Sequence, residues 1–592
     1  MTGRGLLAPF SIVSRPSTPL SVPRRDRSAA RLVANTARPC LRPKKSYCYN
    51  TLSWLREREF VLQQKQQEKV YRTELTPVSF LRRNAYVFPD KVAIVHGDRR
   101  YTYRQFEERV NRLSSRLRDA GLQKHDRVAF LAPNIPQLLE AHFAVPDAGC
   151  VLVPLNTRLG SDEVGYILEH SGAKMLFVDA ELGQLVEPLD TSGIEVIRID
   201  DTGESGDPYE DYLAAGSAEA LPSVLEDEEE TIAINYTSGT TGKPKGVMYS
   251  HRGAYLNALG VALALQMNSD SVFLWILPMF HCCGWCYTWG VTAIAGTHVC
   301  LRKVEPGRIW ELFESEGITH YCGAPTVQIP LVNHQDAHEL DRQVITAIGG
   351  SPAGPALLEK FENLNIRPIH LYGLTETYGP DTICAWREEW DELPIEEKAQ
   401  KLARQGQSHV TTSNLVRVVD ENMNDVPRDG ETMGEIVTRG NTVMKGYFED
   451  EEETEESFKG GWFHTEDIAV WHPDGYVEIR DRDKDVIISG GENISSVEVE
   501  QTIEKHPAVM EVGVVSTPDE QWGERPKAFV ALKEGEEATE DEIIDFVKGR
   551  IARFKAPAAV EFVDELPKTS TGKIQKFQLR EQEWEGQERR VG

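Results

Sequence analysis

From about residue 70 onward, short apolar runs alternate with stretches whose apolar residues recur at three- and four-residue spacing. Lys91–His96 and Tyr101–Tyr103 read as short strands, and Thr102–Ala120 carries a helical period. Arg127–Ala132 is a continuous apolar run before Asn134 and Pro136, as a strand buried on both faces requires. The alternation continues with a strand at Cys150–Pro154, a helix at Gly160–Ser171 and a strand at Lys174–Val178. This order predicts an α/β fold, a large N-terminal domain of layered sheets and helices with mostly parallel strands. Polar residues 222–230 lead into the apolar strand Thr231–Tyr236. Near the end, strands at Pro507–Thr517 and Lys527–Leu532 are flanked by helices at Ser496–Lys505 and Thr539–Arg553, the pattern of a small α+β domain. The charged run Asp481–Lys484 separates two apolar strands, so the expected domains are 70–482 and 484–592.

Composition narrows the function classes. The chain has 592 residues, 40% hydrophobic and 27% charged, with a net charge of -28, so a broad nucleic-acid surface is not expected. Nine scattered cysteines suit a reducing compartment better than a disulfide framework. No apolar run is long enough to span a bilayer. Residues 1–56 differ from the rest: eleven Lys or Arg stand against the single acid Asp26, among many Ser, Pro and Ala. Residues 1–50 therefore read as a mitochondrial-type transit peptide or a disordered basic tail. Arg590-Val591-Gly592 is not a Ser-Lys-Leu-type address, so mitochondrial localisation is expected ahead of a peroxisomal or cytoplasmic one.

The most informative stretch follows the strand Thr231–Tyr236. Thr237-Ser238-Gly239-Thr240-Thr241-Gly242-Lys243-Pro244-Lys245-Gly246 gathers glycines, hydroxyls and lysines. Glycines let backbone N–H groups turn toward an anion, hydroxyls add short donors, and lysines add charge. It is not a Walker A loop, because Thr237 stands where that pattern needs Gly and Pro244 where it needs Ser or Thr. Cys283 and Cys286 have Cys-x-x-Cys spacing, but no second pair follows, so zinc is not expected.

The loop resembles that of the acyl-adenylate-forming superfamily, which includes acyl-CoA synthetases, peptide-synthetase adenylation domains and beetle luciferase. Further stretches resemble that family's motifs in order: Pro278-Met279-Phe280-His281, Gly349-Gly350-Ser351-Pro352, Tyr372-Gly373-Leu374-Thr375-Glu376, Thr465-Glu466-Asp467 (with Glu466 where the family has Gly), Asp481-Arg482-Asp483-Lys484-Asp485, and Leu566-Pro567-Lys568-Thr569-Ser570-Thr571-Gly572-Lys573. The resemblance implies an ATP-dependent acid–CoA ligase. A carboxylate attacks the ATP α-phosphate to give acyl-AMP and pyrophosphate, and the CoA thiol then takes the acyl group. It also implies that the small C-terminal domain is mobile, turning about a hinge at Lys484 between the two steps.

By the same resemblance, Lys573 stabilises the meeting anions, Glu376 holds Mg²⁺, and Thr240 and Thr375 donate to phosphate oxygens. Asp467 takes the ribose hydroxyls with Arg482 beside it, and Tyr372 stacks on adenine. Gly350 and Ser351 lie by the adenine, Gly490 and Gly491 by the pantetheine arm, and His281 gates the carboxylate. Trp285, Tyr287 and Gly323–Val332 are expected to line the acyl pocket. The stretch Cys384–Gly406 resembles an insertion of the plant and fungal acyl-activating branch, whose members take short-, medium- or branched-chain acids, and some of them aromatic acids. No evident cation waits for a second carboxylate, so a monocarboxylic acid is expected. Alternatives are a secondary-pathway ligase, such as one forming mevalonyl-CoA for siderophores, or an adenylate-forming enzyme with another acceptor. Expected cofactors are ATP, Mg²⁺ and coenzyme A; a homodimer is left open.

Overall fold

The computed structural model describes residues 72–237, 244–349, 355–409, 415–489, 492–519, 521–533, 535–568 and 574–584. Glu74–Gly592 forms one compact unit; the readings of residues 1–50 lie outside the described residues.

A helix and two parallel strands near the start show how the sequence sets the pattern. The helix Tyr103–Asp119 begins at a capping box, in which the Thr102 hydroxyl accepts from Gln105 N–H and the Gln105 side chain accepts from Thr102 N–H. Its Phe106, Val110, Leu113 and Leu117, at helical spacing, are all buried. The strands Arg127–Leu131 and Met175–Asp179 pair in parallel, and Phe130 stacks on Phe177 at 4.4 Å between ring centroids. Such a pair adds about 0.5–1.5 kcal/mol beyond simple burial.

Two large sheets result. The first runs Glu195–Ile199, Met175–Asp179, Arg127–Leu131, Val151–Pro154, Thr231–Tyr236, Gly246–Ser250; only its last pair is antiparallel. The second has nine strands, with a parallel centre from Val92–His96 to Ile366–Leu374 and antiparallel edges. The helix Pro136–Asp147 is buried at every residue, as a helix enclosed on all sides must be. Its Glu140 is fully buried, and Arg109 and the Tyr209 hydroxyl satisfy the carboxylate.

A four-stranded antiparallel sheet follows: Leu415–Val419, Met433–Arg439, Phe463–Trp471, Val477–Arg482. The stretch Cys384–Gly406 ties it to the nine-stranded sheet, because Arg404 pairs with Asp474 at 2.9 Å and Tyr476 donates to Ala385 O. A last five-stranded sheet has a core of its own around Ile494, Val499, Val514 and Val530. The expected strands and helices are present with small shifts. One helix is shorter: Thr539 caps it, and it runs Glu540–Lys548 because Gly549 ends it before Arg553.

Candidate active site

The glycine-rich loop springs from an antiparallel pair. Thr231–Tyr236 runs against Gly246–Ser250, and Thr237 N–H donates to Lys245 O at 3.0 Å, closing the loop at its base. The expected loop residues Ser238, Gly239, Thr240, Thr241, Gly242 and Lys243 lie outside the described residues. Thr237 itself lines a narrow cleft together with Asn235, Phe280, His281, Cys282 and Thr375. Three residues that sequence put far apart thus share one wall.

His281 enters that cleft from an unusual backbone. Cys282, Cys283, Gly284, Trp285 and Cys286 all have φ between 50° and 62°, a left-handed turn of mostly non-glycine residues. Left-handed geometry costs about 1–2 kcal/mol for each residue with a Cβ, so neighbours must hold it. They do: Cys283 N–H donates to the Asn235 side chain at 3.1 Å, and Thr288 donates its hydroxyl to Cys283 O at 3.0 Å. Burial pushes His281 down to about 4, so its imidazole is neutral near pH 7. Burial likewise pushes the Cys282 thiol up to about 12, which keeps it protonated and a poor metal ligand. The Trp285 indole lies across Gly349, where an added Cβ would come within 2.3 Å of the ring. Tyr287, expected beside the acyl chain, is fully buried against Phe273 with ring centroids 5.1 Å apart.

The second group sits where the nine-stranded sheet meets the four-stranded one. Tyr372, near the end of the strand Ile366–Leu374, donates its hydroxyl to Asp467 Oδ2 at 2.6 Å. Arg482 Nε lies 3.1 Å from Asp467 Oδ1, and the two residues are directly paired across their strands. Asp467 holds the guanidinium well above its ordinary value, while burial, reinforced by that carboxylate, raises the Tyr372 phenol. The tyrosine expected to stack on adenine thus also orients the Asp467 carboxylate. One turn on, Tyr249 donates to Thr375 O at 2.7 Å and the Cys282 thiol reaches the Thr375 hydroxyl at 3.5 Å. Glu376 accepts from the Tyr447 hydroxyl at 3.0 Å. Burial raises its pKa, which Tyr447, Arg482 and Lys245 partly offset.

Sequence reasoning left Glu466 as a departure beside Asp467. Its φ is 58°, the conformation a glycine there would take without strain, and its carboxylate pairs with Lys484 at 3.0 Å. The structure thus brings together Thr237, His281 and Thr375 in one wall, and Tyr372, Glu376, Asp467 and Arg482 in an adjoining cluster. Gly350, Ser351, Gly490, Gly491 and Lys573 lie outside the described residues. Tyr447 and Asn235 were missed. Asn235 carried a signal, as a polar residue inside an otherwise apolar strand; Tyr447 carried none.

A buried carboxylate–arginine–tyrosine cluster beside the strand pair that carries the glycine-rich segment defines an adenylate-forming site in an α/β fold with a small trailing sheet. The sequence profile of the AMP-binding enzyme matches residues 81–448, and that of the AMP-binding enzyme C-terminal domain matches 498–573. The chain is 44% identical over 541 residues to the acetate–CoA ligase of Humulus lupulus, covering 86% of this chain and 94% of that protein. It is 45% identical over 519 residues to 4-hydroxybutyrate–CoA ligase 2 of Metallosphaera sedula and 43% over 537 to a peroxisomal acetate/butyrate–CoA ligase of Arabidopsis thaliana, with the same coverages. Among solved structures, the o-succinylbenzoate CoA synthetase of Bacillus subtilis with its acyl-adenylate intermediate superposes at TM-score 0.74 and 27% identity, covering 86% of this chain and 98% of that one. The chain belongs to the AMP-binding enzyme family. It is an acid–CoA ligase that uses ATP and works through an acyl-adenylate.

Two substitutions test this geometry. A Cβ at Gly373 would fall 1.8 Å from Gly379 O, a backbone atom that cannot swing aside. Gly373→Ala is expected to lower unfolding stability in urea by more than about 3 kcal/mol; a loss under about 1 kcal/mol would show that the strand can part there. Glu466→Gly relieves left-handed strain of about 1 kcal/mol and removes a half-exposed ion pair worth about 0–1 kcal/mol. The same titration should show unchanged or slightly raised stability, and a clear fall would mean the Lys484 pair outweighs the strain.

Proposed function

We propose that the chain activates a short, linear or branched monocarboxylic acid and transfers it to coenzyme A, with Mg²⁺ on the phosphates. The observation that carries this reading is the Tyr372–Asp467–Arg482 cluster, set beside a cleft shared by Thr237, His281 and Thr375. A carboxylate held on one side by a phenol and a guanidinium keeps its remaining lone pairs in fixed directions, ready for two ribose hydroxyls. Thr375 offers a hydroxyl to phosphate from a turn that Tyr249 anchors. The neutral His281 at the cleft wall can move without carrying charge past the incoming acid.

Glu376 fits a magnesium ion in one respect: its carboxylate is pressed toward the protonated form by burial, and a divalent cation would restore the charged form. One carboxylate suffices when phosphates and water complete the octahedron, and Glu376 is the described residue that would hold the ion, to neutralise phosphate charge. Lys573 would then bring a charge to the α-phosphate from the segment after Lys568, and Lys484 would be the pivot of the small domain.

The relatives named above act on acetate, 4-hydroxybutyrate and butyrate, which supports a small acid here. The Trp285 indole across Gly349 supports the same size class, because a bulky ring against a backbone leaves little depth. Peroxisomal names among the plant relatives favour the peroxisomal alternative over the mitochondrial reading of residues 1–56. Among the described residues, no helix is long and apolar enough to cross a membrane.

Purified protein with Mg-ATP, CoA and acids of increasing length should release AMP and pyrophosphate and form thioester. The rate should be highest for the shorter acids and fall as the chain lengthens; a maximum at long-chain acids would overturn the small-acid reading. AMP release with no thioester would make this an acyl-AMP ligase instead. Lys573→Ala should cut adenylation by at least about 100-fold while leaving thioester formation from supplied acyl-AMP within about threefold. Equal losses in both steps would refute the divided role.

A further inference from the structure

The turn Thr375–Thr377, which carries Glu376, is gripped from two sides. Tyr249, on the strand Gly246–Ser250, donates its hydroxyl to Thr375 O, and Met444 N–H donates to Glu376 O at 2.7 Å. Both bonds hold backbone and leave the side chain free. A glutamate turns about several side-chain bonds, so a fixed backbone does not fix where its carboxylate points. Among the described residues, the side chain that donates to that carboxylate is Tyr447, with its hydroxyl 3.0 Å from Glu376 Oε1.

Tyr447 is itself built into a sheet edge. Residues 444–448 run beside the strand Gly246–Ser250, the last strand of the six-stranded sheet. Val247 and Tyr447 form an antiparallel bridge. Met248 N–H donates to Gly446 O at 3.1 Å, Lys445 N–H to Met248 O at 3.0 Å, and Phe448 N–H to Gly246 O at 2.7 Å. Tyr447 N–H donates to the Thr454 hydroxyl at 2.9 Å, and that hydroxyl donates onward to Asp450 O at 2.7 Å. The Lys245 ammonium lies 5.1 Å from the centre of the Tyr447 ring and is held by Glu453. Backbone, ring and hydroxyl of this buried tyrosine are thus each engaged, by different elements.

A side chain held at so many points offers the carboxylate one direction. Partners that hydrogen-bond a metal-ligating carboxylate set its orientation, and losing one costs about 10- to 100-fold in metal affinity or activity. The same strand, Gly246–Ser250, pairs with Thr231–Tyr236 at the base of the glycine-rich segment. Tyr447 therefore ties the Glu376 side chain to the strand pair from which that segment springs.

We propose that Tyr447 is a positioning residue for the adenylation step, its hydroxyl holding the Glu376 carboxylate in the direction that receives a divalent cation. This rests on the reading of Glu376 given above. Tyr447 acts through Glu376 and not on the substrate. Tyr447→Phe keeps the ring, its packing and the Lys245 contact, and removes the hydroxyl alone. The full chain is saturated with α,β-methylene-ATP, which cannot release pyrophosphate, and Mn²⁺ is titrated by electron spin resonance. The variant should bind the ion about 10-fold or more weakly than the parent protein. Pyrophosphate release at limiting Mg²⁺ should fall by a similar factor, and excess Mg²⁺ should recover most of it. Thioester formation from supplied acyl-AMP, with no triphosphate to hold, should stay within about threefold.

The midpoint of urea unfolding shows whether the variant is folded. Should it not fold, Thr454→Val leaves the tyrosine in place but removes the acceptor of its N–H. That variant should weaken Mn²⁺ in the same direction, by about threefold or more. Unchanged Mn²⁺ affinity in a folded variant, or equal losses in both half-reactions, overturns the proposal. Glu376→Gln measured in parallel separates the two readings. If Glu376→Gln weakens Mn²⁺ while Tyr447→Phe does not, positioning fails and the ion site stands. If Glu376→Gln leaves the affinity unchanged, the ion site itself fails, and this inference with it.

Discussion

The carboxylate of Asp467 is the constraint on which the site is built. It is 4% exposed, and burying it is tolerable only because the Tyr372 hydroxyl and Arg482 both reach it. Those partners come from different sheets: Tyr372 lies near the end of a strand of the nine-stranded sheet, while Asp467 and Arg482 are cross-strand partners in the four-stranded one. Satisfying one buried charge therefore fixes how two sheets meet. It also fixes Glu376, four residues after Tyr372, at the same junction. Through Asp481, beside Arg482, the constraint reaches the small C-terminal sheet.

Around that junction the chain accepts backbone strain where it needs a particular direction. The left-handed turn Cys282–Cys286 aims His281 into the cleft and lays Trp285 across Gly349. Asn235, from the strand that launches the phosphate loop, holds the turn by its Cys283 N–H. The base of the loop and His281 consequently share one support, so a displacement of the strand Thr231–Tyr236 would be felt by both. Glu466 accepts the same kind of strain next to Asp467 and gains a pairing with Lys484.

Much of this was legible in the sequence, and the remainder was hidden for definable reasons. The strand Thr231–Tyr236 was read to the residue, since an apolar run between a polar approach and a glycine-rich turn has few alternatives. The four residues of the junction cluster were each named in advance, from motif order. The five positive φ angles at Cys282–Cys286 were not, because nothing in the types Cys, Trp and Gly signals left-handed backbone; only tertiary contacts enforce it. Tyr447 was missed because a single tyrosine on a connecting segment carries no periodic signal. Lys576 was not singled out, although its spacing of four from Arg580 marks a helical face. Its burial against Glu500 is a tertiary fact that no local pattern encodes.

Charge accounting explains why the site leans on its loops. The two cations that act on Glu376, Arg482 and Lys245, are already engaged: Arg482 with Asp467, and Lys245 with Glu453 at 2.5 Å. Lys484 faces Glu466, and Lys576 faces Glu500. Among the described residues, then, the cations at this junction are matched by carboxylates, in a chain whose net charge is -28. A triphosphate meeting a carboxylate needs positive charge that is not spoken for. On the proposed reading, a divalent ion at Glu376 and the lysines Lys243 and Lys573 would supply it. Cations drawn from an ion and from loops can leave with pyrophosphate or with a moving segment, whereas fixed arginines cannot. A site that must first bind three phosphates and then release two is better served by charge of the first kind, with the pre-paired residues left to hold shape.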